Sequence, residues 1–244
     1  MEAQTTVEKT LHRSSSRGGA NFGWLQSRHT FSFGNYFNPE RVHFGALRVL
    51  NDDQVAPGAG FPTHPHDNME IVSIPLEGAL EHKDTTGTDG VIRTGDVQIM
   101  SAGTGIAHSE YNHSDADPVK FLQIWVLPEK LDIEPRYDQK AFRSENRKNR
   151  FQLMVSPQQS AETLWINQNA YFSMAELDKG STVVYEMHEK ANGLYLFMIS
   201  GAAIVEDESL GHRDGLGLVG KDRYNLQAES AATVLAMEVP YQGF

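Results

Sequence analysis

Gly58-Ala-Gly-Phe-Pro-Thr-His64-Pro-His66-Asp-Asn-Met-Glu70, followed by Gly103-Thr-Gly-Ile-Ala-His108-Ser-Glu110-Tyr-Asn112, are the two segments that decide how this chain folds. Each carries two potential metal ligands at spacing i, i+2. Side chains two apart on a strand share a face, so His64 goes with His66 and His108 with Glu110. If the two strands are neighbours, cross-strand Cβ atoms lie roughly 4.5–5.5 Å apart, and four ligating atoms converge on one ion. Three imidazoles and a carboxylate form a borderline donor set, suited to Fe(II), Mn, Ni, Cu or Zn rather than Ca or Mg. Glu70 has the strand parity of His66 and is a fifth candidate. One His-x-His pair arises readily by chance. A second pair behind its own glycine-rich approach, with hairpin signals between the two, points to a built site.

Around these segments the apolar runs are short and broken by turns, as in an all-β chain. Phe31-Ser-Phe-Gly-Asn-Tyr-Phe37 alternates aromatic and small residues and reads as a core-facing strand. Phe44 to Leu50 reads as another, closed by Asn51-Asp52-Asp53. Ile71 to Leu76 is a strand, Glu77-Gly78 a turn at which glycine takes positive φ freely, and Ala79 to Lys83 an alternating strand. Asp84 to Gly90 is a hairpin loop. Val91 to Thr94, Val97 to Met100 and Val119 to Leu127 complete this half. Pro128 to Arg150 is proline- and charge-rich and reads as a solvated connector. Strand signals resume at Phe151 and continue to Val239. Gly58 and Gly78 are twenty residues apart and Gly180 and Gly201 twenty-one, and each second glycine follows an apolar run, which points to an internal repeat.

The 244 residues suffice for two domains with adequate cores. The net charge of −11 excludes a generic nucleic-acid surface, which needs clustered Lys and Arg. No run of about 18 apolar residues is present, so no membrane span is expected. The polar start, Met1 to Gly19, lacks the apolar centre of a signal peptide, and a cytoplasmic location is the expectation. Residues 1–20 are expected to fray. With no cysteine, thiolate ligands and disulfides are excluded.

The spacings resemble the cupin superfamily. Gly58, His64, His66 and Glu70 fit its first motif, with Gly78 one residue late. Gly95, Gly103, His108 and Asn112 fit its second, with Ser101 in place of proline and the histidine two residues late. Phe22-Gly-Trp-Leu-Gln-Ser-Arg-His-Thr-Phe-Ser-Phe33, His64-Pro-His66, Gly95-Asp-Val-Gln-Ile-Met100, Ala102-Gly-Thr-Gly-Ile-Ala-His-Ser-Glu110 and Leu122-Gln-Ile-Trp125 are similar to the pirin family over most of residues 17–137.

That resemblance implies a bicupin, two antiparallel β-barrel (jelly-roll) domains packed together. The expected division is a metal-bearing domain at 1–135, a linker at 136–150 and a second cupin without a complete metal site at 151–244. It implies the ligand set His64, His66, His108 and Glu110, with Glu70 beside the site or lining its pocket and part of the Phe31–Phe37 stretch walling that pocket. Gln98 and Asn112 are candidates to orient ligands. His188, at the place matching the first pair, is expected to be a surface or packing residue.

The implied activity is that of a quercetin 2,3-dioxygenase: a phenolic substrate and dioxygen, one divalent transition metal with Fe(II) the expected ion and Zn, Mn, Ni or Cu the alternatives, and Glu110 as proton acceptor. Two other readings stand beside it. One is a metal-bearing binding module, a transcription cofactor that contacts other proteins without touching nucleic acid. The other is a different cupin enzyme, since the fold hosts many reactions. A monomer is expected.

Overall fold

The computed structural model describes residues 7–244. Its strands begin with β1 Glu8–His12, β2 Gly18–Asn21, β3 Leu25–His29, β4 Leu47–Val55, β5 Gly60–His66, β6 Glu70–Glu77 and β7 Ala79–Asp84. They continue with β8 Asp89–Arg93, β9 Asp96–Ser101, β10 Ile106–Asn112, β11 Val119–Val126, β12 Arg136–Ala141, β13 Gln152–Ser156 and β14 Leu164–Trp165. The last are β15 Tyr171–Leu177, β16 Thr182–Glu186, β17 Asn192–Ser200, β18 Ala203–Val205, β19 Glu208–Leu210, β20 Gly215–Val219, β21 Arg223–Ala228 and β22 Ala232–Pro240. The chain is all-β, in two cupin units. No helix among the described residues is long and apolar enough to cross a membrane.

The first unit comprises residues 17–142 with 158–168. Its larger sheet runs β12-β9-β6-β11-β4-β3-β2 and its smaller sheet β5-β10-β7-β8, with antiparallel pairing. Alternation along β7 and β10 puts every second side chain inside, as strand geometry requires. Leu80, Ile92, Val119 and Phe121 fill one end of the interior. Each such fully buried side chain contributes roughly 1.5–3 kcal/mol. Pro75 sits within β6, where it cannot donate to a ladder; the register against β11 shifts at that point, the usual accommodation of a strand proline.

A polar row crosses the inner face of the larger sheet. Ser73 on β6 stands opposite Gln98 on β9 and Gln123 on β11, Gln123 opposite Asn51 on β4, and Asn51 opposite His29 on β3. All five are buried. This row, not an apolar layer, faces the smaller sheet and its histidines.

Among the described residues the second unit comprises 7–16 together with 143–157 and 169–244. Its sheets run β1-β20-β17-β22-β15-β13 and β16-β21-β18-β19. The repeat is visible in β16 and β21, which pair as β5 and β10 do, but the content differs. Tyr185 faces Tyr224 and Val183 faces Leu226, and these join Leu196, Met198, Leu216 and Val234 in a closed apolar core. His188 lies beyond β16, exposed, its ring stacked on Tyr171 at 4.2 Å and 7°. It is a surface and packing residue.

Several expectations need correction. Of residues 1–20, expected to fray, 1–6 lie outside the described residues, while β1 at 8–12 and β2 from 18 onward are strands. β1 pairs along its whole length with β20, some two hundred residues away, and so belongs with the second unit. The expected division at 1–135, 136–150 and 151–244 therefore differs from the compact units: residues 136–141, inside the expected linker, form β12 and pair with β9. Phe31–Phe37 is a loop, not a strand, folded back by Gly34 at φ 56° with a bridge between Phe33 and Tyr36. Asn51-Asp52-Asp53 does not end β4, which runs on to Val55.

Candidate metal centre and its cavity

β5 and β10 are neighbours, as the paired motifs require, with His108 directly opposite His64 and Ile106 opposite His66. The register then shifts, so that Glu110 faces Phe61 and β5 carries one extra residue at Pro62-Thr63. Such a bulge re-aims side chains beside a site. It also brings the strands close: a Cβ on Gly60 would stand 2.4 Å from the Glu110 carbonyl oxygen, so only glycine fits.

The three imidazoles converge. Ring centroids are 4.9 Å apart for His64 and His66, 4.5 Å for His64 and His108, and 5.0 Å for His66 and His108. One ring nitrogen from each lies within 4.8 Å of the other two. The Nε2 atoms of His66 and His108 are 3.1 Å apart. Ligands bound at roughly 2.0–2.1 Å to one ion stand about 3 Å from each other, so this donor set fits a transition metal. His64 Nδ1–H donates to the Pro62 carbonyl at 2.8 Å, which leaves its Nε2 as a lone-pair donor. Burial first, and the charge of His64 second, lower His66 to about 4; burial and the neighbouring imidazoles lower His108 to about 2. Both stay neutral at pH 7, the state in which histidine ligates.

Glu110 shares the inward face of β10 with His108, as the i, i+2 spacing predicts. Its carboxylate is outside the group of three nitrogens. Oε1 accepts from Ser73 Oγ at 3.2 Å and Oε2 from Gln123 Nε2 at 2.8 Å. Burial raises its pKa to about 7 against those two hydrogen bonds.

Glu70 is in neither the group of three imidazoles nor the cavity lining. Its Oε2 accepts from Ser101 Oγ at 2.8 Å and from the Asn167 amide at 3.1 Å. Burial raises its pKa from 4.5 to about 7, opposed by those bonds and by Arg136. A carboxyl whose pKa is raised by folding stabilises the fold below its unfolded value, and that contribution is lost as pH rises through its folded value. Stability should therefore fall between about pH 4.5 and 7.5, by up to about 3 kcal/mol from this group. Glu70→Gln, which retains an oxygen acceptor, should flatten that slope in urea unfolding measured across the same range.

Neither candidate orienting residue is hydrogen-bonded to the histidines. The Asn112 amide donates to the carbonyls of Val55, Ala56 and Asp117, tying β10 to the loop after it. The Gln98 amide is buried with no hydrogen-bond partner among the described residues. The residue that does reach the cluster is His82 on β7. Its Nδ1 is 3.4 Å from His108 Nδ1, and its Nε2 is 2.8 Å from Asp84 Oδ2.

His64, His66 and Glu110 open on a cavity of about 430 Å³. Phe22, Leu25, Phe33, Tyr36, Phe61 and Trp125 form apolar walls, so the Phe31–Phe37 stretch does wall a pocket, from a loop. Ser27, His29, Asn51, Asp53 and Gln123 supply polar lining. His29 Nδ1 and Asn51 Oδ1 have no hydrogen-bond partner among the described residues. Burial raises Asp53 to about 7, with Asp52 and Glu110 adding to the rise. The sequence reading missed this lining. The signal was present as the alternation of Asn51 and Asp53 directly after an apolar strand.

The family described as Pirin matches residues 10–126, and the Quercetinase C-terminal cupin domain matches residues 153–239. Quercetin 2,3-dioxygenase of Escherichia coli strain K12 is 38% identical over 230 residues, covering 94% of this chain and 98% of that protein. Pirin-like protein of Caulobacter vibrioides is 39% identical over 222 residues, covering 91% of each. Among solved structures, bacterial pirin YhhW in complex with nickel(II) from Escherichia coli superposes with TM-score 0.90 at 37% identity, covering 96% of this chain and 99% of that one.

Proposed function

Because the chain belongs to the pirin family, we propose that it is a metal-dependent dioxygenase that opens the central ring of a flavonol such as quercetin. The observation that carries this reading is the cluster of three imidazoles, of which His64 and His66 open, beside Glu110, onto an aromatic-walled cavity. His64, His66 and His108 would hold one divalent transition metal. Iron is the expected ion, and nickel(II) is named with the relative YhhW. When bound, such an ion supplies Lewis acidity and access to dioxygen chemistry.

The chain's own residues do the rest. Phe33, Phe61 and Trp125 take the faces and edges of a flat polyphenol and exclude water from it. The unpartnered atoms of His29 and Asn51 accept or donate to its hydroxyls, since leaving them unpaired in a filled cavity costs free energy. Glu110 takes the proton of the flavonol 3-hydroxyl; a pKa near 7 suits a general base at neutral pH. To serve also as the fourth ligand, its carboxylate would exchange a bond from Ser73 or Gln123 for the ion. The overall change consumes one flavonol and one dioxygen and yields the ring-opened ester and carbon monoxide.

The test begins with elemental analysis of protein purified without a metal-binding tag. Oxygen uptake and carbon monoxide release are then followed with quercetin and the metal found. The expected result is equal consumption of dioxygen and flavonol. Metal-loaded protein that takes up no dioxygen with any flavonol would leave the enzyme reading without support.

A further inference from the structure

His82 and Asp84 sit on β7, the neighbour of β10 on the side away from β5. Their side chains are buried, and neither lines the cavity. Asp84 is fixed at both oxygens. Oδ1 accepts from Thr86 N at 2.8 Å, Thr86 Oγ1 at 2.6 Å and Thr88 N at 3.2 Å, while Oδ2 faces His82 Nε2 at 2.8 Å. The Tyr137 ring closes over His82 at 4.4 Å.

This arrangement settles proton positions one after another. A carboxylate only accepts, so Asp84 requires the His82 proton on Nε2. A neutral His82 then presents a lone pair at Nδ1. That atom is 3.4 Å from His108 Nδ1, so the His108 proton belongs there. The lone pair of His108 is left on Nε2, the atom that faces His66 at 3.1 Å.

We propose that Asp84 and His82 are positioning residues that set the His108 tautomer, through the chain Asp84–His82–His108, so that its Nε2 is always the donor atom. The proposal rests on the ligand role given to His108 under Proposed function, but the proton positions do not depend on any metal.

Asp84→Asn reverses the chain. The loop amides of Thr86 and Thr88 need an oxygen, so the new amide nitrogen turns to His82 Nε2. His82 Nε2 must then accept, its Nδ1 carries the proton, and His108 is driven to the Nε2–H form with its donor atom blocked. His82→Phe keeps the packing against Tyr137 but removes the acceptor, so His108 loses its preference without being reversed.

The experiment uses the metal-free full chain with ¹⁵N-labelled histidine. Two-bond ¹H–¹⁵N correlation spectra report the His108 tautomer, competition with a chelator reports nickel(II) affinity, and circular dichroism checks the fold. The expected results are Nδ1–H in the parent, Nε2–H in Asp84→Asn and a mixture in His82→Phe. Nickel affinity should fall by about 10–100-fold in Asp84→Asn, the range for partners behind a ligating histidine, and by less in His82→Phe. If Asp84→Asn does not fold, His82→Phe alone decides: an unmixed Nδ1–H signal with parental affinity overturns the proposal. An Nε2–H tautomer in the parent, or parental nickel affinity in folded Asp84→Asn, also overturns it. A parent with the Nδ1–H tautomer that binds no metal supports the positioning chain and removes the metal reading instead.

Discussion

Glu110→Gln is expected to lower flavonol turnover per bound metal by about 10²–10⁴-fold, the usual loss when a positioned base is removed. The substitution keeps the size of the side chain and one oxygen. It also keeps the local network. In the parent the single Ser73 hydroxyl proton is shared between two acceptors, Gln123 Oε1 at 2.8 Å and Glu110 Oε1 at 3.2 Å. If the Gln123 amide turns over, its oxygen accepts from the new amide at 110 and the Ser73 hydroxyl donates to the oxygen at 110. The barrel should therefore stay intact, and the three imidazoles proposed to hold the metal are untouched, so turnover per bound metal isolates the charge and basicity of the carboxylate. Glu70→Gln is the control. Glu70 is bonded to Ser101 and Asn167 and does not line the cavity, so its turnover stays near the parental value. Carbon monoxide release per bound metal, measured in both variants, decides. Parental turnover in Glu110→Gln with collapse in Glu70→Gln would assign the base to the wrong carboxylate.

His66→Ala is expected to abolish metal binding, and His188→Ala to leave it unchanged. His66 supplies the nitrogen 3.1 Å from His108 Nε2, and without it two imidazoles remain at the cluster. Losing a direct ligand exceeds the 10–100-fold typical of losing the residue behind one. The edge contact of His66 with Trp125, at 5.0 Å and 84°, is lost as well and loosens the cavity wall. His188 stacks on Tyr171 in the other unit, beside an interior of tyrosines and aliphatics, and its removal costs about 0.5–1 kcal/mol of aromatic contact. Elemental analysis of untagged parent and variants reads the result. Equal metal content in all three proteins would place the ion elsewhere.

Much of the first barrel could be read locally. A strand has a period of two, so the i, i+2 spacing of His64 with His66 and of His108 with Glu110 fixes their faces whatever the rest of the chain does. Gly78, at φ 78°, is the turn its sequence predicts. Short apolar runs between turn signals gave the all-β class, and the motif spacings gave the family.

The tertiary structure decided what local spacing cannot encode, which strands are neighbours and in what register. By strand parity alone Glu70 and Glu110 are both candidates, and only the resemblance favours Glu110. They are separated because β6 lies in the larger sheet, where Glu70 meets Ser101, while β10 lies between β5 and β7. Asn51 and Asp53 resemble a turn because Asn and Asp are depleted from strands. The burial of Leu50 and Val55 on either side outweighs that preference and carries both polar groups into the barrel. β1 finds β20 only once the chain has closed. His82, on an ordinary alternating strand, reaches His108 because β7 is the other neighbour of β10. Register is set by burying one whole face of each sheet at once, a sum over residues far apart in sequence, and the site inherits its outer partners from that sum.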